Sequence, residues 1–161
     1  MADDSTPATG GATSGDGGPE VAALQKALAA EHVAVWGYGT VGAALSGAAR
    51  TPASEADQAH RDVRDRLTAL ISSRHADPVP TEGGYALPFP VLSPVDAAAL
   101  AVTLEEGAAA AWAWVLDQAT ERDTRTWAVT VLGDTEVRAV GWRTQAGKTP
   151  VTAAFPGLPP A

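Results

Sequence analysis

Two polar side chains fall where the apolar pattern of the sequence predicts the inside of a helical protein. Glu31 lies in the apolar seam of a predicted first helix, between Leu28 and Val35. His60 lies in the seam of a second helix, three residues before Val63. A buried carboxylate without a partner is costly, so Glu31 needs a metal ion, a cationic side chain or a proton. We therefore take Glu31 and His60 as the start of a candidate site.

Three further carboxylates lie on the third and fourth predicted helices. Glu105 shares a heptad seam with apolar residues, Glu106 follows it, and Glu136 lies on the fourth helix. Counted from the turn between these helices, Glu105, Glu136 and Arg138 are nearly level. An ordinary interhelical ion pair between Glu105 and Arg138 is therefore one interpretation of this group.

Glu31 and His60 also have interpretations that involve only the fold. An ion pair with Arg64 or Arg138 would satisfy Glu31, and a hydrogen bond to Tyr38 would satisfy His60. If the first turn is centred near residue 50, Glu31 and His60 differ in height by roughly two helical turns. This offset argues against a shared site.

The composition excludes several classes of protein. The chain has 161 residues and 35 Ala, which suits one helical domain, because Ala is the best helix former. Its net charge of −8 argues against a nucleic-acid partner, and the absence of Cys excludes disulfides and thiolate sites. No apolar run reaches the ~18 residues of a membrane helix, and no secretory signal is visible. We expect a cytoplasmic protein without a membrane partner.

Apolar periodicity and capping signals divide the chain into helices and connections. The predicted helices cover about residues 19–48, 52–75, 94–118 and 123–145. Ser93-Pro94-Val95-Asp96 is the strongest local start signal, with a cap, a Pro at the first position and an acid at the third. Residues 1–18 have no apolar bulk after Met1 and predict a disordered tail. A Pro-rich segment follows the fourth helix.

The segment 76–92 is a long connection that contains four prolines. In an extended form it could cover roughly 50 Å, the length of a bundle. Such a crossover lets the third helix run parallel to the second, which gives an up-down-down-up order; a shorter path would give a simple up-down-up-down bundle. Alternating apolar residues, Tyr85, Leu87, Phe89 and Val91, are expected to pack this segment onto the bundle.

Several strings in the chain resemble a family of bacterial ferritin-like domains of unknown function. The strings are AAEHVAVWGYGTVGA (29–43), HRDVRDRL (60–67), YALPFPV (85–91), LEEGAAAAW (104–112) and AFPGLP (154–159). The resemblance covers about residues 20–159. It implies an all-α, ferritin-like four-helix bundle, and it brings no substrate, because none is assigned to the family.

The ferritin-like superfamily that the resemblance implies holds two metal ions between its helices. Its ligands are one Glu from each of two helices and a Glu-x-x-His motif from each of the other two. Carboxylate and imidazole ligands suit iron or manganese, and open coordination positions let oxygen bind. The residues of this chain that match in type are Glu31, His60, Glu105, Glu106 and Glu136.

The chain departs from this ligand pattern at two positions. Asp57 stands three residues before His60, where the pattern has Glu, and Ala139 stands three residues after Glu136, where it has His. We therefore expect a decayed metal site and a structural or interaction role, with a homodimer as the candidate assembly. The alternative is a di-metal carboxylate protein of the oxidase or storage type.

A third interpretation is a pocket for a small ligand beside the Gly-rich half of the first helix. Trp36 and Tyr38 would line it, and Arg138 is a further candidate for the same pocket. Aromatic side chains with one charged group are typical of such pockets.

Overall fold

Four long helices make up most of the part of the chain that the computed structural model describes, residues 18–158. They are α1 (Gly18–Ala44), α2 (Arg50–Ser73), α3 (Pro94–Gln118) and α4 (Arg122–Gln145). A single 3-10 turn, Gly47–Ala49, precedes α2, and these described residues contain no strand. The prediction of an all-α protein with four helices is confirmed. The predicted tail lies outside the described residues except for Gly18, at which α1 begins.

The first turn is longer than the sequence pattern indicates. α1 ends at Ala44 and α2 begins at Arg50, whereas the prediction placed these boundaries near 48 and 52. Gly47 has a positive φ of 54°, which glycine adopts without steric cost. The Arg50 side chain donates a hydrogen bond to the carbonyl oxygen of Gly42 at 2.9 Å. The residues after Ala44 therefore form the turn and add no height to α1.

The start of α3 has the cap that its sequence predicts. The Ser93 hydroxyl accepts a hydrogen bond from the Asp96 backbone N–H at 3.1 Å. The Asp96 carboxylate accepts from the Ser93 hydroxyl at 2.8 Å and from the Leu92 backbone N–H at 3.1 Å. Pro94 needs no partner at the first helical position, because it has no N–H.

The crossover between α2 and α3 lies against the bundle as its alternating pattern predicts. Leu87, Phe89 and Val91 are half-buried and pack on the core, while the residues between them are exposed. The Tyr85 ring meets the Trp36 ring of α1 edge to face, with 5.9 Å between ring centroids. These contacts fix the path of the crossover along α1 and α3.

The backbone conformation of the residue that follows the C-terminus of α2 leads to a prediction about stability. His75 follows the helix with a φ of 59°, the left-handed conformation that usually takes glycine. Replacing His75 with Gly is expected to raise the free energy of unfolding by about 0.5–1 kcal/mol, because the steric cost of Cβ disappears. Urea denaturation measures the change, and His75→Ala is the control. An equal gain in the alanine variant would show that the side chain, not the backbone, is responsible.

α3 alone among the described helices is long and apolar enough to cross a membrane by length and composition, with a mean hydropathy of 1.2 over its most apolar window. A count of unbroken apolar runs does not detect this helix, because Glu105 and Glu106 interrupt its apolar residues. Half of the window is buried inside the protein, and it contains Glu105 and Glu106. Both features are those of a core helix in a helical bundle.

The interior consists of two apolar clusters with a polar layer between them. The first cluster includes Leu24, Leu28, Leu67, Trp112 and Trp127. The second includes Tyr38, Val41, Leu100, Leu104 and Trp142. Glu31, His60 and Glu105 lie between these clusters along their helices, and all three are buried.

Candidate buried polar site

Glu31 is a fully buried carboxylate with a hydrogen-bond donor on each oxygen. Its Oε1 accepts from the indole Nε1 of Trp112 at 2.7 Å. Its Oε2 lies 2.6 Å from Nδ1 of His60. The two donors come from α3 and α2, so the carboxylate of α1 joins three helices.

Glu105 is the second fully buried carboxylate, and donors from three other helices reach it. Its Oε1 accepts from the Tyr38 hydroxyl at 2.5 Å and lies 3.3 Å from His60 Nε2. The Nε of Arg138 lies 3.0 Å from Oε1 and 3.1 Å from Oε2. Arg138 also donates to the Thr135 hydroxyl at 3.1 Å. With Glu31 and Trp112, these residues form what we call the buried network.

The geometry around His60 defines its protonation state. Each ring nitrogen faces a carboxylate oxygen, one of Glu31 and one of Glu105. A neutral imidazole has one nitrogen lone pair, which would then point at an anion, whereas the imidazolium donates from both nitrogens. Burial alone would lower the pKa of His60, but its hydrogen bonds to Glu105 and Glu31 and their negative charges raise it to about 9. His60 is therefore a cation at neutral pH.

The pKa values of Glu105 and Tyr38 shift in the directions that a cationic His60 requires. Burial opposes ionisation of Glu105, but His60 and Arg138 outweigh burial and hold its pKa below the usual range. Burial and the adjacent Glu105 anion raise the pKa of Tyr38, so its hydroxyl stays a donor. The charges of the buried network then cancel, because two carboxylates face one imidazolium and one guanidinium.

The structure brings together three of the five predicted metal ligands, Glu31, His60 and Glu105. The estimated offset of two turns between Glu31 and His60 is wrong. Since α1 ends at Ala44 and α2 begins at Arg50, Glu31 and His60 are 13 and 10 residues from the turn, a difference of less than one helical turn.

Glu106 and Glu136 lie in a separate cluster around Arg143. Arg143 is 2.7 Å from Glu136 and 3.2 Å from Glu106, and it donates to the carbonyl oxygen of Val151 at 3.0 Å. Glu136 also accepts from the Ala153 backbone N–H at 3.1 Å. This cluster therefore attaches the C-terminal segment to α3 and α4 and does not reach the buried network.

Asp57 does not join His60 as a Glu-x-x-His-like pair would. Its carboxylate pairs with Arg61, one turn further along α2, at 2.9 Å. This is an ordinary i,i+4 ion pair on a half-exposed face.

Trp36, Tyr38 and Arg138 do not line a common pocket. Trp36 lines a cleft of about 420 Å³ between α1, α3 and the crossover, together with Tyr85 and Leu104. Tyr38 points into the buried network, and Arg138 lines a different cleft between α2 and α4. The predicted pocket combined residues from different faces of α1, because Trp36 and Tyr38 are separated by about 200° around the helix axis.

Trp112 and Thr135 are the residues of the buried network that the sequence analysis does not single out. The signal was available: Trp112 follows Glu105 by seven residues and therefore lies on the same face of α3. Its indole N–H needs a partner when buried, and Glu31 provides it.

The buried network does not fit a metal ion in its present arrangement. Ligating nitrogens and oxygens need free lone pairs, and the imidazolium of His60 has none. The ring stands between the two carboxylates, so these groups face different nitrogens rather than one point. Within residues 18–158, no group of three His, Cys, Asp or Glu side chains is arranged to hold a metal ion.

Comparisons with known proteins give a family without an assigned activity. Residues 23–160 match the model of DUF4439, a domain of unknown function. The crystal structure of a conserved hypothetical protein, rv2844, from Mycobacterium tuberculosis is similar, with 38% sequence identity and a TM-score of 0.77. The match covers 86% of this chain and 97% of that chain. None of the curated proteins is significantly similar in sequence.

Proposed function

The chain belongs to the DUF4439 family, and from that premise we propose that it is a helical scaffold with a structural or interaction role, in which a charge-neutral network replaces a metal centre. The observation that carries this proposal is the complete pairing of two fully buried carboxylates. Glu31 and Glu105 accept hydrogen bonds from an indole, an imidazolium, a phenol and a guanidinium. A carboxylate that is neutralised in this way has no need of an added cation.

The helix order proposed for this scaffold is the ferritin-like up-down-down-up arrangement. Contacts at the ends of the helices support it. Glu20, near the start of α1, pairs with Arg74 after α2 at 2.8 Å and accepts from Thr120 after α3 at 2.8 Å. The ring of Trp112, late in α3, is 4.8 Å from that of Trp127, early in α4. These pairs support an order in which α1 is antiparallel to α2 and α3, and α3 is antiparallel to α4.

Metal analysis of the untagged protein tests the proposed function. After incubation with Fe(II) or Mn(II) and gel filtration, we expect metal well below one equivalent per chain, because His60 and both carboxylates are already engaged. One or two equivalents in the wild type would overturn the proposal and favour the di-metal alternative.

The di-metal alternative draws support from the convergence of Glu31, His60 and Glu105 from three helices. It predicts that Glu31→Gln abolishes metal uptake and the absorbance change that accompanies Fe(II) oxidation. Glu136→Gln is the matched control, since Glu136 lies in the separate cluster around Arg143. Equal metal uptake by Glu31→Gln and wild type would remove this alternative.

A further inference from the structure

The inward face of α4 presents a pair of residues with the spacing of a metal-binding motif but without its chemistry. Thr135 is fully buried, and Arg138 follows it by three residues with its side chain 21% exposed. Bundles that bind two metals through carboxylates use Glu-x-x-His at this i,i+3 spacing. Here the two positions carry a hydroxyl and a guanidinium, which are bonded to each other.

We propose that the guanidinium of Arg138 takes the electrostatic place of a metal ion, so that its removal turns the buried network into a divalent-cation site. The inference rests on the proposed function, because it requires a wild-type network that is already neutral. Without Arg138, two carboxylates face only the imidazolium of His60, and the buried network has a net charge of −1. A cation from solution then offsets this negative charge, since an uncompensated buried charge is strongly unfavourable.

The surroundings of Arg138 give such a cation both room and a path. Arg138 lines a cleft of about 300 Å³ between α2 and α4, together with Glu55 and Trp142. Truncation of Arg138 would open this cleft toward Glu105, whose two oxygens would lose the Nε that lies about 3 Å away. The carboxylate of Glu55 in the same cleft favours entry of a cation over an anion.

Arg138→Ala is the direct test, with Mn(II) as the probe and binding followed by calorimetry and by the thermal transition. We expect Arg138→Ala to bind Mn(II) roughly tenfold or more tightly than the wild type, and its transition to rise with Mn(II) concentration. Arg138→Lys keeps the positive charge and should bind no better than wild type. Arg143→Ala removes a cation from the cluster of Glu106 and Glu136 and serves as the matched control.

A second variant covers the case in which Arg138→Ala does not fold. The double variant Thr135→Glu/Arg138→His supplies Glu-x-x-His on α4, and Co(II) bound to it would give visible absorption bands. Circular dichroism establishes that each variant is folded. The inference is overturned if the folded variants bind Mn(II) and Co(II) no better than wild type, or if Arg138→Lys binds as well as Arg138→Ala. Those results leave the proposed function intact, whereas tight binding by the wild type would contradict the proposed function itself.

Discussion

Replacing His60 with alanine is expected to lower the free energy of unfolding by about 3–5 kcal/mol, the cost of removing one partner from a buried ion pair. The loss leaves Glu31 without its Nδ1 donor and removes one of the two cations that balance the buried network. Urea denaturation at pH 7 measures the change. His32→Ala is the control, because His32 makes one half-buried hydrogen bond to the carbonyl oxygen of Val79, and about 1 kcal/mol or less is expected there.

A double-mutant cycle separates the charge effect from the cavity that alanine creates. In a Glu31→Gln background, one of the two anions is absent, so His60→Ala should cost clearly less than in the wild type. Equal costs in both backgrounds would show that His60 stabilises the protein by packing alone.

Stability should fall as the pH rises from about 6.5 to 9, by on the order of 3 kcal/mol. The pKa of His60 is raised from its ordinary value of 6.5 to about 9 in the folded protein. Below pH 6.5 the folded and unfolded chains both carry the proton, and the stabilisation is complete. Between 6.5 and 9 only the folded chain keeps the proton, so stability decreases until the folded chain also loses it. Urea midpoints across this range measure the slope.

His60→Gln provides the control for this pH dependence, because glutamine fills part of the same space and does not titrate. We expect its stability to be nearly level between pH 6.5 and 9, although lower than that of the wild type at pH 6.5. A parallel decline in both proteins would assign the slope to other groups.

The features that the sequence predicts well are local. The cap at Ser93 and Asp96 and the alternation from Tyr85 to Val91 depend on neighbouring residues, and both occur as expected. The burial of Glu31 and His60 also follows from a local pattern, the position of each residue in an apolar seam.

The pairing of residues between helices is harder to predict, because it depends on where each turn begins. The predicted boundaries displace Glu31 by four residues at the end of α1 and His60 by two at the start of α2. Together these errors amount to about 9 Å along the helices, enough to separate the two residues in the count. The sequence could give the two seams, but the turn at Gly47–Ala49 determines their register.

The metal-ligand pattern selects Glu136 on α4, which lies one residue after Thr135, the residue that belongs to the buried network. A search for Glu-x-x-His starts from Glu136, but one residue rotates a helical position by about 100°. Thr135 and Arg138 therefore point toward Glu105, while Glu136 points toward Arg143. A template of metal ligands cannot detect a cationic side chain that replaces the metal.

The protonation of His60 tests the central claim most directly. Long-range proton–nitrogen NMR spectra of the 15N-labelled protein distinguish an imidazolium from either neutral tautomer, with His32 and His75 as internal references. At pH 7.5 we expect both ring nitrogens of His60 to carry a proton and to keep it until the pH approaches 9. One bare ring nitrogen at pH 7.5 would contradict the charge-neutral network.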